Sequence, residues 1–95
     1  MIACKDGRCT VQGPITVDNV VTLLEQGREQ LTSASATIDF SGVTEVDSSA
    51  LSLLLEWRRD AARSSRAVRF DRLPANLQSL AQLYGVTELL AMNAE

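Results

Sequence analysis

Thr37-Ile38-Asp39-Phe40-Ser41-Gly42-Val43-Thr44-Glu45-Val46-Asp47-Ser48-Ser49-Ala50-Leu51-Ser52-Leu53-Leu54-Leu55-Glu56-Trp57 decides how the rest of the chain is read. Thr37 to Phe40 are β-branched or aromatic around one aspartate, which suits a strand. Ser41-Gly42 breaks that run. Asp47-Ser48-Ser49 sets an acid and two capping side chains ahead of a leucine-rich segment, the composition a helix N-terminus prefers. The stretch predicts a strand, a turn and a helix. It puts the Ser48 hydroxyl at the positive end of that helix, hydrogen-bonded to the first backbone N–H groups as a cap.

The predicted helix, about 48–64, carries Leu51, Leu54, Leu55 and Ala62 as a core stripe. Ala50, Leu53, Trp57 and Ala61 widen its apolar arc to about 200°, where a helix lying on a sheet needs little more than about 100°. Two readings fit this excess. Neighbouring helices can cover it, or Leu53 and Trp57 can form a surface that a partner covers, since exposed tryptophan marks binding hot spots. Arg58 falls in the middle of the core stripe, its stem covering apolar surface while its head reaches water.

Upstream, Lys5-Asp6-Gly7-Arg8 is a two-residue hairpin signal, with Asp-Gly suited to a type I′ turn. Folding the chain there sets Lys5 against Arg8, Cys4 against Cys9, Ala3 against Thr10 and Ile2 against Val11. Ile2, Cys4, Cys9 and Val11 then share a buried face. A disulfide is geometrically conceivable between the opposed cysteines, but reduced core thiols are expected in a reducing cytoplasm. Gly13-Pro14 is read as the end of the hairpin. Thr16 is expected to cap a helix whose face holds Val17, Val20, Val21, Leu24 and Leu31, with Gly27 loosening its C-terminal half.

Downstream, 67–71 alternates as a further strand. Pro74 opens a helix through Leu73, Leu77, Leu80, Ala81 and Tyr84, which Gly85 stops. Val86, Leu89 and Leu90 are read as a last turn or short strand, and 93–95 as fraying. The order is ββαβαβα, an α/β fold with helices packed on a mixed, mostly parallel sheet behind an N-terminal hairpin. At 95 residues the chain is read as a single domain, 1–95.

The net charge of −3 gives no basic footprint for nucleic acid. Arg58, Arg59, Arg63, Arg66 and Arg69 nonetheless gather in a short span, either as a solvated face or toward an acidic partner. No apolar run reaches the ~20 residues of a membrane span, and residues 1–6 lack the core of a signal peptide, so a cytoplasmic protein is expected. There is no histidine, the commonest general base. Ser48 also lacks a Gly-x-Ser-x-Gly elbow, so no enzyme and no catalytic residue is expected. Asp39, Glu45 and Asp47 fall near one strand end without fixed ligand spacing, and no phosphate-binding glycine pattern occurs. No metal and no cofactor are expected. A phosphate on Ser48 would add about −1.5 to −2 charges beside Asp47.

The stretch 39–51, Asp39-Phe40-Ser41-Gly42-Val43-Thr44-Glu45-Val46-Asp47-Ser48-Ser49-Ala50-Leu51, resembles the signature of STAS domains, the family of anti-sigma factor antagonists. The family form is D-L-S-x-V-x-x-x-D-S-S-G-L; here Phe40 replaces the leucine and Ala50 the glycine. The resemblance implies a STAS fold over the whole chain and a docking module rather than a catalyst. It also implies that Ser48 occupies the family's phosphorylation position.

Leu80-Ala81-Gln82-Leu83-Tyr84-Gly85-Val86 after Leu73-Pro74 is similar to a segment of the MlaB branch, the STAS subunits of Mla phospholipid-trafficking ABC transporters. That branch implies binding to the ATPase subunit through the Ser48 loop and the helix behind it, in a system that maintains outer-membrane lipid asymmetry. The domain would then be held peripherally at the inner membrane by its partner. MlaB commonly has threonine where this chain has Ser48. The serine pair is more like the phosphorylated antagonists, whose partner is an anti-sigma factor kinase. The expected contact residues are Asp47, Ser48, Ser49, Leu53 and Trp57, with Asp39 shaping the loop.

Overall fold

The computed structural model of the chain describes residues 1–87. The expectations for Leu89, Leu90 and 93–95 lie outside them. Seven elements follow in order: β1 (Ile2–Lys5), β2 (Arg8–Ile15), α1 (Val20–Gln30), β3 (Ser35–Val46), α2 (Ser49–Arg63), β4 (Ala67–Asp71) and α3 (Ala75–Leu83). The strands form one sheet in the order β1-β2-β3-β4; β1 runs antiparallel to β2, and the other pairs are parallel. This is the α/β arrangement that the strand–helix alternation predicts. None of the described helices is long and apolar enough to cross a membrane.

The hairpin has the register set by its turn, Lys5 opposite Arg8 through to Ile2 opposite Val11. Asp6 and Gly7 take the paired positive φ angles, 54° and 79°, of a type I′ turn. One expectation for it is corrected: Cys4 and Cys9 are joined in a disulfide and are not free thiols. The two-residue turn makes Lys5 and Arg8 the hydrogen-bonded pair. Cys4 and Cys9 are therefore a non-hydrogen-bonded pair, the position where opposed side chains come closest, and their Cα atoms are 4.0 Å apart.

The outer edge of β1 is covered by α1. Gln26 Oε1 accepts the Ile2 N–H at 3.3 Å, and Gln30 Oε1 accepts the Cys4 N–H at 2.9 Å. Gln30 Nε2 donates to the Ile2 carbonyl at 2.9 Å. Two glutamines thus stand in for a neighbouring strand and blunt an edge that could otherwise pair with another chain.

Two predicted breaks do not end their strands. β2 continues through Gly13-Pro14, and β3 through Ser41-Gly42. Each irregularity is absorbed where β3 carries one residue more than β2, between Thr10/Asp39 and Gln12/Gly42 and again before Ile15/Val46. Such bulges bend a strand without stopping it. They carry β3 on to Val46, so Asp39 sits in mid-strand, on the order of 20 Å from Glu45 at the strand rise. The expected acidic cluster of Asp39, Glu45 and Asp47 at one strand end is therefore not assembled.

Helix α1 also departs from its expected phase. It begins at Val20, behind Asn19 rather than Thr16. Asn19 Oδ1 accepts the Thr16 N–H at 2.9 Å, and the Thr16 carbonyl takes the Asn19 and Val20 N–H groups. Leu23, Gly27 and Leu31 face the core, while Val17 and Val21 are exposed at 71% and 63%. The phase is set by α2. Trp57 lies directly on Gly27, where even a Cβ would come within 2.1 Å of the indole nitrogen. Gly27 is a seat for Trp57, not a loose point in the helix.

The core unites Ile2, Cys9, Val11, Ile15, Ile38, Phe40 and Phe70 from the sheet with Leu23, Leu54, Trp57 and Leu77 from the helices. Phe40 and Phe70 meet edge to face with centroids 5.8 Å apart. The Arg58 guanidinium lies over the Phe70 ring at 5.0 Å, which explains a cation inside an apolar stripe. Burial draws its pKa below the usual arginine value.

Candidate docking site

The parallel strands all point toward one end of the sheet, and the loops after β2 and β3 meet there. β3 ends at Val46, and Asp47-Ser48 leads into α2. Asp47 ties this end together. Its Oδ1 accepts the Ser49 N–H at 2.9 Å, and the Ser49 hydroxyl donates to the same oxygen. Its Oδ2 accepts the Val17 N–H of the β2–α1 loop at 3.0 Å. These bonds hold the Asp47 carboxyl below the usual value of 3.8, the Ser49 hydroxyl most of all, then the Val17 N–H.

The capping expectation for Ser48 is thereby corrected. Ser48 occupies the N-cap position, but its φ and ψ of −65° and −19° are already helical and its side chain makes no cap hydrogen bond. A capping side chain needs a non-helical, extended backbone to turn back onto the first N–H groups. Asp47, one residue earlier, does that work. The Ser48 hydroxyl is left exposed and accepts or donates no hydrogen bond among the described residues.

Two open grooves lie at this end, one lined by Ser48 and the other by Asp47. One, of about 340 Å³, is lined by Ser48, Leu51, Ser52, Leu55, Tyr84 and Val86, between the head of α2 and the end of α3. The other, of about 400 Å³, runs past Pro14, Val17, Asp18, Glu45 and Asp47. Exposed apolar side chains border both: Val17 beside the second, and Tyr84, 57% exposed, in the first.

Of the residues singled out in the sequence, the structure brings together Asp47, Ser48 and Ser49. Leu53 and Trp57 are corrected: both are core, 1% and 2% exposed, and they supply no surface while the domain is folded. The broad apolar arc of α2 is explained by the sheet, α1 and α3 around it. Asp39 shapes the β3 bulge rather than the Ser48 turn, its Oδ1 accepting the Ser41 N–H at 2.8 Å. That bond, opposed by partial burial and helped by Ser41 Oγ and Arg72, lowers the Asp39 pKa. Sequence reasoning missed Val17, Ser52, Leu55 and Tyr84 as site residues. Tyr84 alone carried a signal, an aromatic immediately before a helix-ending glycine.

The chain matches the family model described as MlaB, STAS domain, over residues 3–91. It belongs to the STAS domain family. Among curated proteins nothing matches it. The Asp47-Ser48-Ser49 turn of this STAS domain is the part where a strand end, a helix head and two grooves converge. No group of side chains among the described residues is arranged to hold a metal ion.

Proposed function

We propose that this STAS domain is a non-enzymatic subunit that docks on the ATPase of an Mla-type phospholipid-transport ABC system and regulates it. One observation carries the reading: the exposed Ser48 hydroxyl, without a hydrogen bond among the described residues, lines an open groove at the head of α2, and its neighbour Asp47 lines a second. A partner covering this turn would gain a polar contact without breaking an internal one, and would bury the apolar parts of Leu55, Tyr84 and Val17. The family model with the MlaB description supports the ATPase as that partner. The contact set is Asp47, Ser48 and Ser49 from the turn, with Ser52, Leu55, Tyr84 and Val17 around it. Through its partner the domain would sit at the cytoplasmic side of the inner membrane.

The same idle hydroxyl supports a second reading, an anti-sigma factor antagonist switched by phosphorylation of Ser48. Phosphate there would add about −1.5 to −2 charges next to the ionised Asp47. The helix dipole would favour that charge, but a dry contact over the turn would be lost. Affinity purification of the tagged domain from its native cells separates the two readings. Recovery of an ABC ATPase in stoichiometric amount is the expected result. Recovery of a serine kinase without any ATPase would overturn the first reading in favour of the second.

A further inference from the structure

The helices cover one face of the sheet, and the strand registers order the charges on the other. Lys5 pairs with Arg8, Arg8 with Thr37 and Thr37 with Arg69, so these residues form one row straight across all four strands. At about 4.8 Å between strands the row is about 14 Å long. The next row toward the Ser48 end is Ala3, Thr10, Asp39 and Asp71. Its acids are already engaged, Asp39 by Arg72 at 3.6 Å and Asp71 by Arg8 at 3.7 Å. The Arg8–Asp71 pair is long and exposed, the kind a better-placed carboxylate can replace. Lys5 and Arg69 are exposed and have no ion-pair partner among the described residues. A chain of net charge −3 thus presents a line of three cations on an uncovered surface.

We infer that this row is a docking surface for an acidic segment of another protein, laid across the strands. Arginine forks pair carboxylates in two-pronged fashion, and Arg8 and Arg69 present two of them on a rigid sheet. Carboxylates one helical turn apart lie about 5–6 Å from each other, close to the strand spacing, so successive acids can meet successive strands. A bilayer fits less well. Between the charges lie only Ala3, Thr10 and Thr37, with nothing to enter hydrocarbon, and polybasic lipid-binding clusters usually hold about four to eight cations. A second copy fits less well too, because a four-strand face offers roughly 300 Å² against about 800 Å² per partner in a stable dimer. The row lies at the start of β3 and Ser48 beyond its end, so both surfaces can be occupied at once.

The test uses the full chain and a fluorescein-labelled peptide of repeated Glu-Ala-Ala-Ala, whose acids stand one helical turn apart, read by fluorescence anisotropy. Binding is expected at low salt and should weaken as salt rises. Lys5→Glu/Arg69→Glu should weaken it at least about tenfold, while Arg59→Glu/Arg63→Glu, the same change in net charge on α2, should shift it less than about twofold. Lys5→Gln/Arg69→Gln gives the same readout if the reversed pair does not fold. Equal losses in the sheet and α2 variants would overturn the inference. So would absence of peptide binding, or binding to phosphatidylglycerol vesicles without binding to the peptide.

Discussion

The head and the middle of α2 have opposite fates. At its head, Ser48 is exposed and idle; about two and a half turns on, Trp57 is sealed against Gly27 of α1. Residue type points the other way, since tryptophan is enriched and serine depleted in contact surfaces. What separates them is whether the fold already uses the side chain. The indole fills a seat made by a missing Cβ, whereas the Ser48 hydroxyl has been displaced from capping by Asp47. A surface left for a partner is one that internal bonding does not consume.

The largest expected effect is at the sealed Trp57. Trp57→Ala should lower folding stability by about 3–5 kcal/mol, as for other buried aromatic truncations, measured by urea denaturation. Any loss of partner binding should track unfolding alone. Gly27→Ala sharpens the same point. Alanine gains about 1 kcal/mol of helix propensity, but overpacking costs about 1–3 kcal/mol and the Trp57 indole leaves no room, so net destabilisation is expected. A more stable Gly27→Ala protein would show that Trp57 is not seated there.

Reduction of Cys4–Cys9 should have a smaller effect, about 2 kcal/mol, because the closed loop is short, with a sequence separation of 5. The hairpin register should survive, since the Asp6-Gly7 turn sets it; amide exchange of Ala3 and Thr10, the next hydrogen-bonded pair, with and without reductant checks this.

At the open end, Asp47 has a folded pKa below its ordinary 3.8. Its contribution is therefore complete above that value and lost as pH falls through the lowered one. Asp47→Asn should flatten the acid side of the Tm–pH curve relative to the parent. Ser48→Ala should do least of all to stability, within about 0.5 kcal/mol, because no hydrogen bond is removed.

What was legible in the sequence was local. Asp6-Gly7 carries the backbone angles of its own turn, and the register of four residue pairs follows from it. Strand–helix alternation likewise yields the mixed, mostly parallel sheet, and the 39–51 signature marks the turn that the folded chain exposes. Harder to see was anything decided by distant neighbours. Val17, Val20, Val21 and Leu24 have helical spacing, yet the phase of α1 is set by Trp57, 30 residues beyond Gly27. The role of Ser48 turned on which of two adjacent capping residues takes the first N–H groups: Asp47 accepts the Ser49 N–H and Ser48 is already helical, a one-residue shift that composition leaves open. Cross-strand geometry showed that the cysteines could bond, but the choice between thiol and disulfide is not written in spacing.

The most direct measurement is calorimetric titration of the ATPase subunit with the parent domain and with Ser48→Glu, both first shown to melt alike. A docking turn at Ser48 predicts that the glutamate weakens binding at least about tenfold, or about 1.4 kcal/mol, with Tm unchanged. Equal affinity of the two proteins for the ATPase would contradict it.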